Sequence, residues 1–216
     1  MLQFGKKAAK AAPLPAFVAD APEPDQALWR LIEGNSAFVE GRGAPANSRD
    51  HLRKLAEAKH PFAIIVGCAD SRVSAQLLFN QRLGELFVVR LAGNTVDRVA
   101  LGSIAYGASV LGCSLIVVLG HAKCGAVTAA VEMVERGANY SGAIAEMVLP
   151  IVPAVIAAKT ARPRDLVDAS VRENVRRVAE GLRRADPAIV QALEEGRLKI
   201  VGAHYELTTG EVEFFA

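Results

Sequence analysis

Three short runs of consecutive apolar residues are the clearest pattern in this chain. They cover residues 62–67, 86–91 and 115–120, and Arg90 is the one charged residue within them. Apolar runs of this length, without polar alternation, are typical of strands buried on both faces of a parallel sheet. Two further strands are predicted at 198–205 and 212–215, separated by a Thr-Thr-Gly turn that indicates an antiparallel hairpin.

Apolar residues at helical spacing occupy most of the chain between and around these strands. The spacing predicts helices at about 25–41, 48–58, 96–111, 124–136, 141–158 and 164–184. Strands that alternate with helices pair in parallel through right-handed crossovers. The predicted fold class is therefore α/β: a mostly parallel β-sheet core flanked by helices, with a C-terminal antiparallel hairpin or edge strand and an N-terminal helical arm.

The first two dozen residues differ from the rest. Residues 1–24 are rich in Ala and Pro, carry three lysines and contain no continuous apolar stretch that would be typical of a signal peptide. This composition predicts a flexible N-terminal arm at 1–24, or a strap across a partner subunit, followed by a single α/β domain at 25–216.

Composition and charge narrow the class of protein. The chain has 216 residues, 51% of them hydrophobic and 22% charged, with a formal net charge of +2. A nearly neutral chain gives no reason to expect nucleic acid or a membrane surface as a partner, and no uninterrupted apolar run reaches the ~18 residues of a membrane span. The 3 cysteines argue against a disulfide framework. They fit a reducing compartment, so a cytoplasmic location is expected.

Reactive side chains follow the first and third of the predicted strands. Cys68, Asp70 and Arg72 come directly after the first, and His121 and Cys124 come directly after the third. Ligands of open parallel sheets bind beyond the carboxyl ends of the strands, so both groups are expected to face the same crevice.

The residue types in this crevice suit a catalytic metal. One imidazole and two thiolates are zinc ligands, and three protein ligands leave one tetrahedral position open. A structural site more often has a fourth Cys or His, and the sequence offers none nearby. Asp70 can accept a hydrogen bond from metal-bound water while Arg72 holds its carboxylate.

Purely structural roles are the alternative for the Asp70–Arg72 pair and the expected roles for the remaining cysteine and histidines. An aspartate and an arginine at this spacing can also form a purely structural ion pair. Cys113 lies within an apolar segment and is expected to be an inert core residue. His51, His60 and His204 are expected to be surface or packing histidines, with proton relay as the alternative.

The two motifs together resemble those of a known family. Cys-Ala-Asp-Ser-Arg-Val at 68–73 followed by Gly-His-x-x-Cys-Gly at 120–125 is similar to the signature pair of the β-carbonic anhydrases, and the likeness runs from about Asp25 to the C-terminus. It implies that Cys68, His121 and Cys124 bind one Zn²⁺ per chain. It also implies that Asp70 and Arg72 form the catalytic dyad of a carbonate dehydratase, a lyase.

The resemblance extends to the substrate and to the assembly. It implies reversible hydration of carbon dioxide to bicarbonate and a proton by zinc-bound hydroxide, in a homodimer or tetramer with its active sites at the subunit interface. The expected substrate pocket includes Lys59, Gly93, Asn94 and Gly125. Lys59 departs from the family, which often has a glutamine at this position that contacts the substrate from across the interface.

Two alternative functions remain open at this point. One is a hydrolase of carbonyl sulfide or carbon disulfide on the same scaffold, and the other is a zinc-binding member of the family without turnover. A thiol redox protein would need a Cys-x-x-Cys motif, and a nucleotide-binding protein would need a glycine-rich loop after the first strand. The sequence contains neither feature.

Overall fold

One β-sheet forms the centre of the part that the computed structural model describes, which comprises residues 21–43, 47–57 and 59–215. Its strands are β1 (Ala63–Gly67), β2 (Leu86–Arg90), β3 (Leu115–His121), β4 (Lys199–Tyr205) and β5 (Val212–Phe215). Their order across the sheet is β2-β1-β3-β4-β5. The first four pair in parallel and β5 pairs antiparallel with β4, which confirms the predicted fold class.

Nine α-helices surround this sheet within the described ranges. They are α1 (Pro24–Val39), α2 (Arg49–Glu57), α3 (Ala75–Leu78), α4 (Arg98–Ser109), α5 (Gly125–Arg136), α6 (Gly142–Val148), α7 (Val152–Thr160), α8 (Leu166–Ala185) and α9 (Pro187–Glu194). Short 3₁₀ turns lie at Ala92–Asn94 and at Leu149–Ile151. All six helical regions predicted from the sequence are present, and the predicted 141–158 helix is α6 and α7 joined through the second turn.

The topology reverses direction between β1 and β3. The chain runs from β1 outward to β2, crosses back over β1 to β3, and then continues to β4 on the other side. The carboxyl ends of β1 and β3 therefore border a topological switch point, where crevices form in open α/β sheets. Cys68 follows β1 directly and His121 is the last residue of β3.

Both faces of the sheet are covered by helices. Side chains of α4, α8 and α9 pack on one face, where the buried set includes Ile64, Ile104, Ile116, Val175, Leu182 and Ile189. The other face packs against α1 and α3, with Ala27, Leu31, Ile65, Phe79 and Val117 among its buried residues. Burial from both sides explains why β1 and β3 consist of uninterrupted apolar runs.

The predicted N-terminal arm falls largely outside the described residues. Residues 1–20 are not among them, so the prediction is not tested there. At the end of the predicted arm, Ser114 Oγ donates a hydrogen bond of 2.6 Å to the Pro22 carbonyl. Helix α1 then packs onto the sheet of its own chain through Ala27 and Leu31, both fully buried.

Helices α6 and α7 form the most apolar helical segment. By length and composition alone, Gly142–Thr160 is long and apolar enough to cross a membrane, with 19 residues and a mean hydropathy of 1.7. Only 28% of this window is buried in the described structure. Ile151, Ala154 and Val155 are fully buried, whereas Ile144, Leu149 and Ile156 are more than half exposed. The sequence prediction found no such segment because Glu146 and Lys159 interrupt the apolar run.

Two helices were not predicted from the sequence. Helix α3 has only four residues, too few for a helical period to be recognised. Helix α9 begins at Pro187 after Asp186, whose side chain accepts a hydrogen bond from the Ala188 amide. An aspartate cap followed by proline at the first helical position is a start signal that the sequence contained.

Candidate metal centre

Cys68 is the first residue after β1, and two backbone amides point at its sulfur. The Asp70 amide donates to Sγ at 3.4 Å and the Gly93 amide at 3.3 Å. The first comes from the turn that carries the predicted dyad, and the second comes from the 3₁₀ turn after β2. Cys68 is buried, so these amides provide its polar environment together with the other cluster side chains.

His121 and Cys124 come from the loop that joins β3 to α5. The loop turns sharply at Lys123, which has a left-handed φ of 53°, and Cys124 is the residue before the first turn of α5. His121 is fully buried, and its Nδ1 lies 2.9 Å from the Ala122 carbonyl. A proton on Nδ1 satisfies that contact and leaves Nε2 as a free lone pair.

The three predicted ligands form one cluster. Their donor atoms all lie within 4.8 Å of one another, and all three residues are buried. Cys68 Sγ and Cys124 Sγ are 3.9 Å apart. Tetrahedral zinc with bonds of about 2.3 Å to sulfur separates two thiolates by about 3.8 Å, so the spacing suits this metal.

The histidine supplies an independent test of the fit. Among the described residues, His121 Nε2 has no hydrogen-bond partner although it is completely buried. An unpaired buried nitrogen is unfavourable in a folded protein unless something else binds it. A metal ion among the two thiols and this nitrogen removes the imbalance.

The contact between the two thiols shifts their pKa values in opposite directions. The hydrogen bond between them lowers the pKa of Cys68 well below the usual value for a thiol, with help from His121 and from the amides of Asp70 and Gly93. The same contact and burial raise the pKa of Cys124. This environment favours the thiolate form of Cys68, which is the form of cysteine that binds metals.

Asp70 and Arg72 form a closed pair beside this cluster. Arg72 Nε donates to Asp70 Oδ1 at 2.9 Å and Nη2 donates to Oδ2 at 2.7 Å, while the Arg72 amide also donates to Oδ1. These bonds hold the pKa of the Asp70 carboxyl well below its usual range. Oδ2 lies 4.0 Å from His121 Nε2, so the ionised carboxylate borders the cluster.

Arg90 also acts on this loop, and its contribution was missed at the sequence level. Its Nε donates to the Cys68 carbonyl at 2.9 Å and its Nη2 donates to the Asp70 carbonyl at 2.6 Å. Arg90 thereby ties the turn that carries Cys68 and Asp70 to the end of the neighbouring strand β2. The available signal was a charged residue at the end of an otherwise apolar strand.

The predicted pocket residues do not all lie beside the cluster in the structure. Gly93 and Asn94 are buried beside Cys68, and Gly125 is exposed at the start of α5 with no atom near the position of a Cβ. Within the described residues, Asn94 Nδ2 is buried without a hydrogen-bond partner. Lys59 is exposed and precedes the amino end of β1, whereas Cys68 follows its carboxyl end, so the chain does not bring Lys59 to its own cluster.

A cleft of about 620 Å³ is lined in part by the loop between His121 and Cys124. It is lined by Ala122 and Lys123 of the loop, by His204 of β4, and by Asp168 and Arg172 of α8, among others. Neither Cys68 nor Asp70 contributes to it. This cleft is therefore separate from the edge of the cluster where Asp70 lies.

Fold and site together define an α/β protein with a buried cluster of one histidine and two cysteines that could hold a metal ion. The sequence model described as "Carbonic anhydrase" matches residues 63–212. Carbonic anhydrase 2 of Mycobacterium tuberculosis is 41% identical over 189 residues, which cover 85% of this chain and 89% of that protein. The carbonic anhydrase of Mycolicibacterium smegmatis is 39% identical over 189 residues, covering 87% and 91%.

A solved structure extends the similarity to the fold. The β-carbonic anhydrase CcaA superposes with a TM-score of 0.68 at 27% identity, covering 88% of each chain. The chain belongs to the β-carbonic anhydrase family. This confirms the resemblance found in the sequence and the enzyme class that it implied, and it does not favour the carbonyl sulfide or carbon disulfide alternative.

Proposed function

We propose that this chain is a zinc enzyme that interconverts carbon dioxide and bicarbonate, with release of a proton in the hydration direction. The observation that carries the proposal is the buried Cys68–His121–Cys124 cluster with the ionised Asp70 at its edge. Membership of the β-carbonic anhydrase family supports the same reaction. Turnover, rather than zinc binding alone, is favoured because the Asp70–Arg72 pair is complete.

The cluster residues have distinct tasks. Cys68 and Cys124 would bind the metal as thiolates and His121 would bind it through Nε2. The Ala122 carbonyl orients the His121 ring through its other nitrogen, Nδ1. Bound zinc lowers the pKa of a water molecule from roughly 15.7 to about 7 and so supplies a nucleophile near neutral pH. With these three residues as donors, a zinc ion would keep a fourth position for the substrate water.

Asp70 acts as a hydrogen-bond acceptor at the edge of the site. Because Arg72 holds the pKa of its carboxyl far below neutral, Asp70 does not take up the proton that the reaction releases. Its Oδ2 can instead accept a hydrogen bond from the attacking water. This bond orients the water so that its oxygen lone pair points at the carbon of carbon dioxide. Arg72 keeps that carboxylate ionised and fixes its plane through two parallel bonds.

We propose that two or more copies of the chain assemble into a homodimer or a tetramer. The edge strand β2 is unpaired on one side in the described structure, and Phe87 of β2 packs against Tyr106 of α4. Val99, also on α4, is 80% exposed, and Tyr106 is 43% exposed. A second copy would cover this apolar surface, and Lys59 would then belong to the partner's pocket.

The assembly can be tested by light scattering during size exclusion. Val99→Glu is expected to lower the molar mass, because a charge cannot be buried in an apolar interface without a partner. Ile156→Glu is the matched variant on α7, where Ile156 is 54% exposed. Loss of assembly in Ile156→Glu alone would assign the interface to α7 instead of α4, and a monomeric wild-type protein would contradict the proposal.

The reaction is tested by stopped-flow hydration of carbon dioxide on protein with a determined zinc content. We expect fast turnover that is lost in Cys68→Ser and strongly reduced in Asp70→Asn. Cys113→Ser is the matched control, since Cys113 is equally buried but donates to the Pro61 carbonyl away from the cluster. Full zinc occupancy without turnover between pH 6.5 and 9, a range from about half a unit below to about two units above the pKa of such a water, would refute the proposed reaction.

A cytoplasmic location completes the proposal. The site needs two reduced thiols, and no disulfide is present among the described residues. Reducing compartments keep thiols in this form. Fractionation of cells that produce the protein, with antibody detection, tests the location, and recovery in an oxidising compartment would contradict it.

A further inference from the structure

A buried asparagine on α8 is bound to the turn that contacts the metal cluster. Asn174 is 3% exposed and lies between the buried apolar residues Val171 and Val175. Its Nδ2 donates a hydrogen bond of 2.9 Å to the Gly93 carbonyl, 81 positions earlier in the chain. Burying a side-chain amide on an apolar helix face costs free energy unless it is paired, and this bond provides the pairing.

Gly93 is held in a conformation that only glycine adopts easily. Its φ is +67°, and a Cβ at this position would lie 2.6 Å from Ile151 Cδ1. The peptide group before Gly93 donates its N–H to Cys68 Sγ at 3.3 Å. The peptide group after it presents its carbonyl to Asn174. The flexible residue between the two peptide groups is therefore fixed from both sides.

We propose that Asn174 is a positioning residue for the metal ligand Cys68 and acts through the Gly93 backbone. By holding the Gly93 carbonyl, Asn174 sets the direction in which the Gly93 amide points at the sulfur. An N–H bond to a metal-bound thiolate fixes the sulfur and withdraws part of its charge, which tunes the metal that it binds. The inference rests on the metal site of the proposed function, but it concerns α8, which supplies no ligand.

The chain contains a matched asparagine without any link to the cluster. Asn35 on α1 is 6% exposed, and its Nδ2 donates to the carbonyls of Leu78 and Gly210. Its Oδ1 accepts a hydrogen bond from the Val212 amide. Loss of Asn35 therefore removes buried amide bonds, as loss of Asn174 does, but leaves the Gly93 turn intact.

The test compares Asn174→Leu, which is nearly isosteric, and the milder Asn174→Ser with Asn35→Ser. Zinc affinity is measured by competition with a chromophoric chelator. The second readout is the thiolate-to-metal charge-transfer band of the cobalt(II)-substituted protein. We expect the Asn174 variants to bind zinc about 10-fold or more weakly, within the ~10–100-fold range for groups that orient metal ligands, and to shift the charge-transfer band.

Asn35→Ser is expected to lower the melting temperature while it keeps wild-type zinc affinity and a wild-type cobalt spectrum. A folded Asn174 variant that binds zinc as tightly as the wild type and has the wild-type cobalt(II) charge-transfer band would overturn the inference. Failure of the wild-type protein itself to bind zinc would instead contradict the proposed function, so the two results are distinguishable.

Discussion

The guanidinium of Arg72 meets the carboxylate of Asp70 edge to edge. Nε lies 2.9 Å from Oδ1 and Nη2 lies 2.7 Å from Oδ2, although only one residue separates the two in sequence. The Arg72 amide adds a third bond to the same carboxylate. Such a two-point contact fixes the plane of the carboxylate as well as its charge, which a lysine ammonium cannot do.

Replacing Arg72 by lysine tests this relationship directly. The pKa of Asp70 should rise from its depressed value towards about 3.9, because the bonds that favour the charged form are lost. Turnover at neutral pH should fall about 10-fold or more, since the carboxylate loses its fixed orientation. The carboxyl ¹³C resonance of Asp70, followed by NMR through an acid titration, reports the first effect, and stopped-flow rates report the second.

Arg53→Lys is the control for this substitution. Arg53 pairs with Asp50 on the surface at 2.9 Å, and both side chains are largely exposed. Exposed pairs contribute little to stability, so turnover should be unchanged. An Arg72→Lys enzyme with wild-type rates would show that the ion pair is only structural.

Removal of the metal should lower the stability of the protein. Cys68, His121 and Cys124 converge only in the folded chain, so an ion that they bind stabilises that state by mass action. We expect a strong chelator to lower the melting temperature in calorimetry and added zinc to restore it. Zinc retention should weaken as the pH falls, because protons compete with the metal for the thiolates and the imidazole.

Cys113→Ser should respond to the chelator as the wild-type protein does. Cys68→Ser, by contrast, should melt at nearly the same temperature with and without zinc. If neither the chelator nor added zinc changes the melting temperature of the wild-type protein, the result would count against a metal at this cluster.

Gly93→Ala should destabilise the protein. The new methyl group would lie 2.6 Å from Ile151 Cδ1 and 3.1 Å from Ala126 Cβ, in a residue whose φ is +67°. Overpacking of this kind costs about 1–3 kcal/mol. Urea unfolding of the zinc-free proteins measures the difference without a contribution from metal binding.

Gly181→Ala is the matched substitution for Gly93→Ala. Gly181 lies within α8 and has no neighbouring atom within 4 Å of a Cβ position. Alanine is favoured over glycine inside a helix by about 0.5–1 kcal/mol, so this variant should gain stability. A Gly93→Ala protein as stable as the wild type would mean that the turn beside Cys68 can relax.

His204 should make stability depend on pH near neutrality. Burial of the ring lowers the pKa of His204 below its usual value, with a further contribution from Arg172, although Asp168 and other carboxylates oppose the shift. The unfolded chain then takes up a proton at a pH where the folded chain does not. The free energy of unfolding should consequently fall as the pH drops through about 6.5.

His204→Gln removes this proton uptake. Its free energy of unfolding, measured in urea on the zinc-free proteins, should decline less than that of the wild type between pH 7 and pH 5. Zinc-free protein is needed because metal loss in acid would add its own pH dependence. A steeper decline in the variant would mean that the Asp168 contact, at 2.9 Å, dominates and that the histidine is protonated when folded.

Much of this protein could be predicted from local patterns along the chain. Apolar runs identified β1, β2 and β3 because a strand buried on both faces needs no polar position. The five residues of the cluster and its dyad were identified for a related reason. In a parallel sheet the carboxyl ends of the strands share one edge, so Cys68 and His121 must meet once both strands are assigned.

The contacts that orient these residues were decided only by the tertiary structure. Arg90 reaches the Cys68 and Asp70 carbonyls from the neighbouring strand, and Asn174 reaches Gly93 from α8 across 81 positions. No periodicity or motif indicates where a long side chain or a buried amide finds its partner. The sequence by itself thus determined the strands, six helical regions and the identity of the cluster, because these follow from residue type and spacing. Folding alone decided the hydrogen bonds that Arg90 and Asn174 make to the turns beside the cluster, because they join elements whose relative positions depend on the packing of the whole chain.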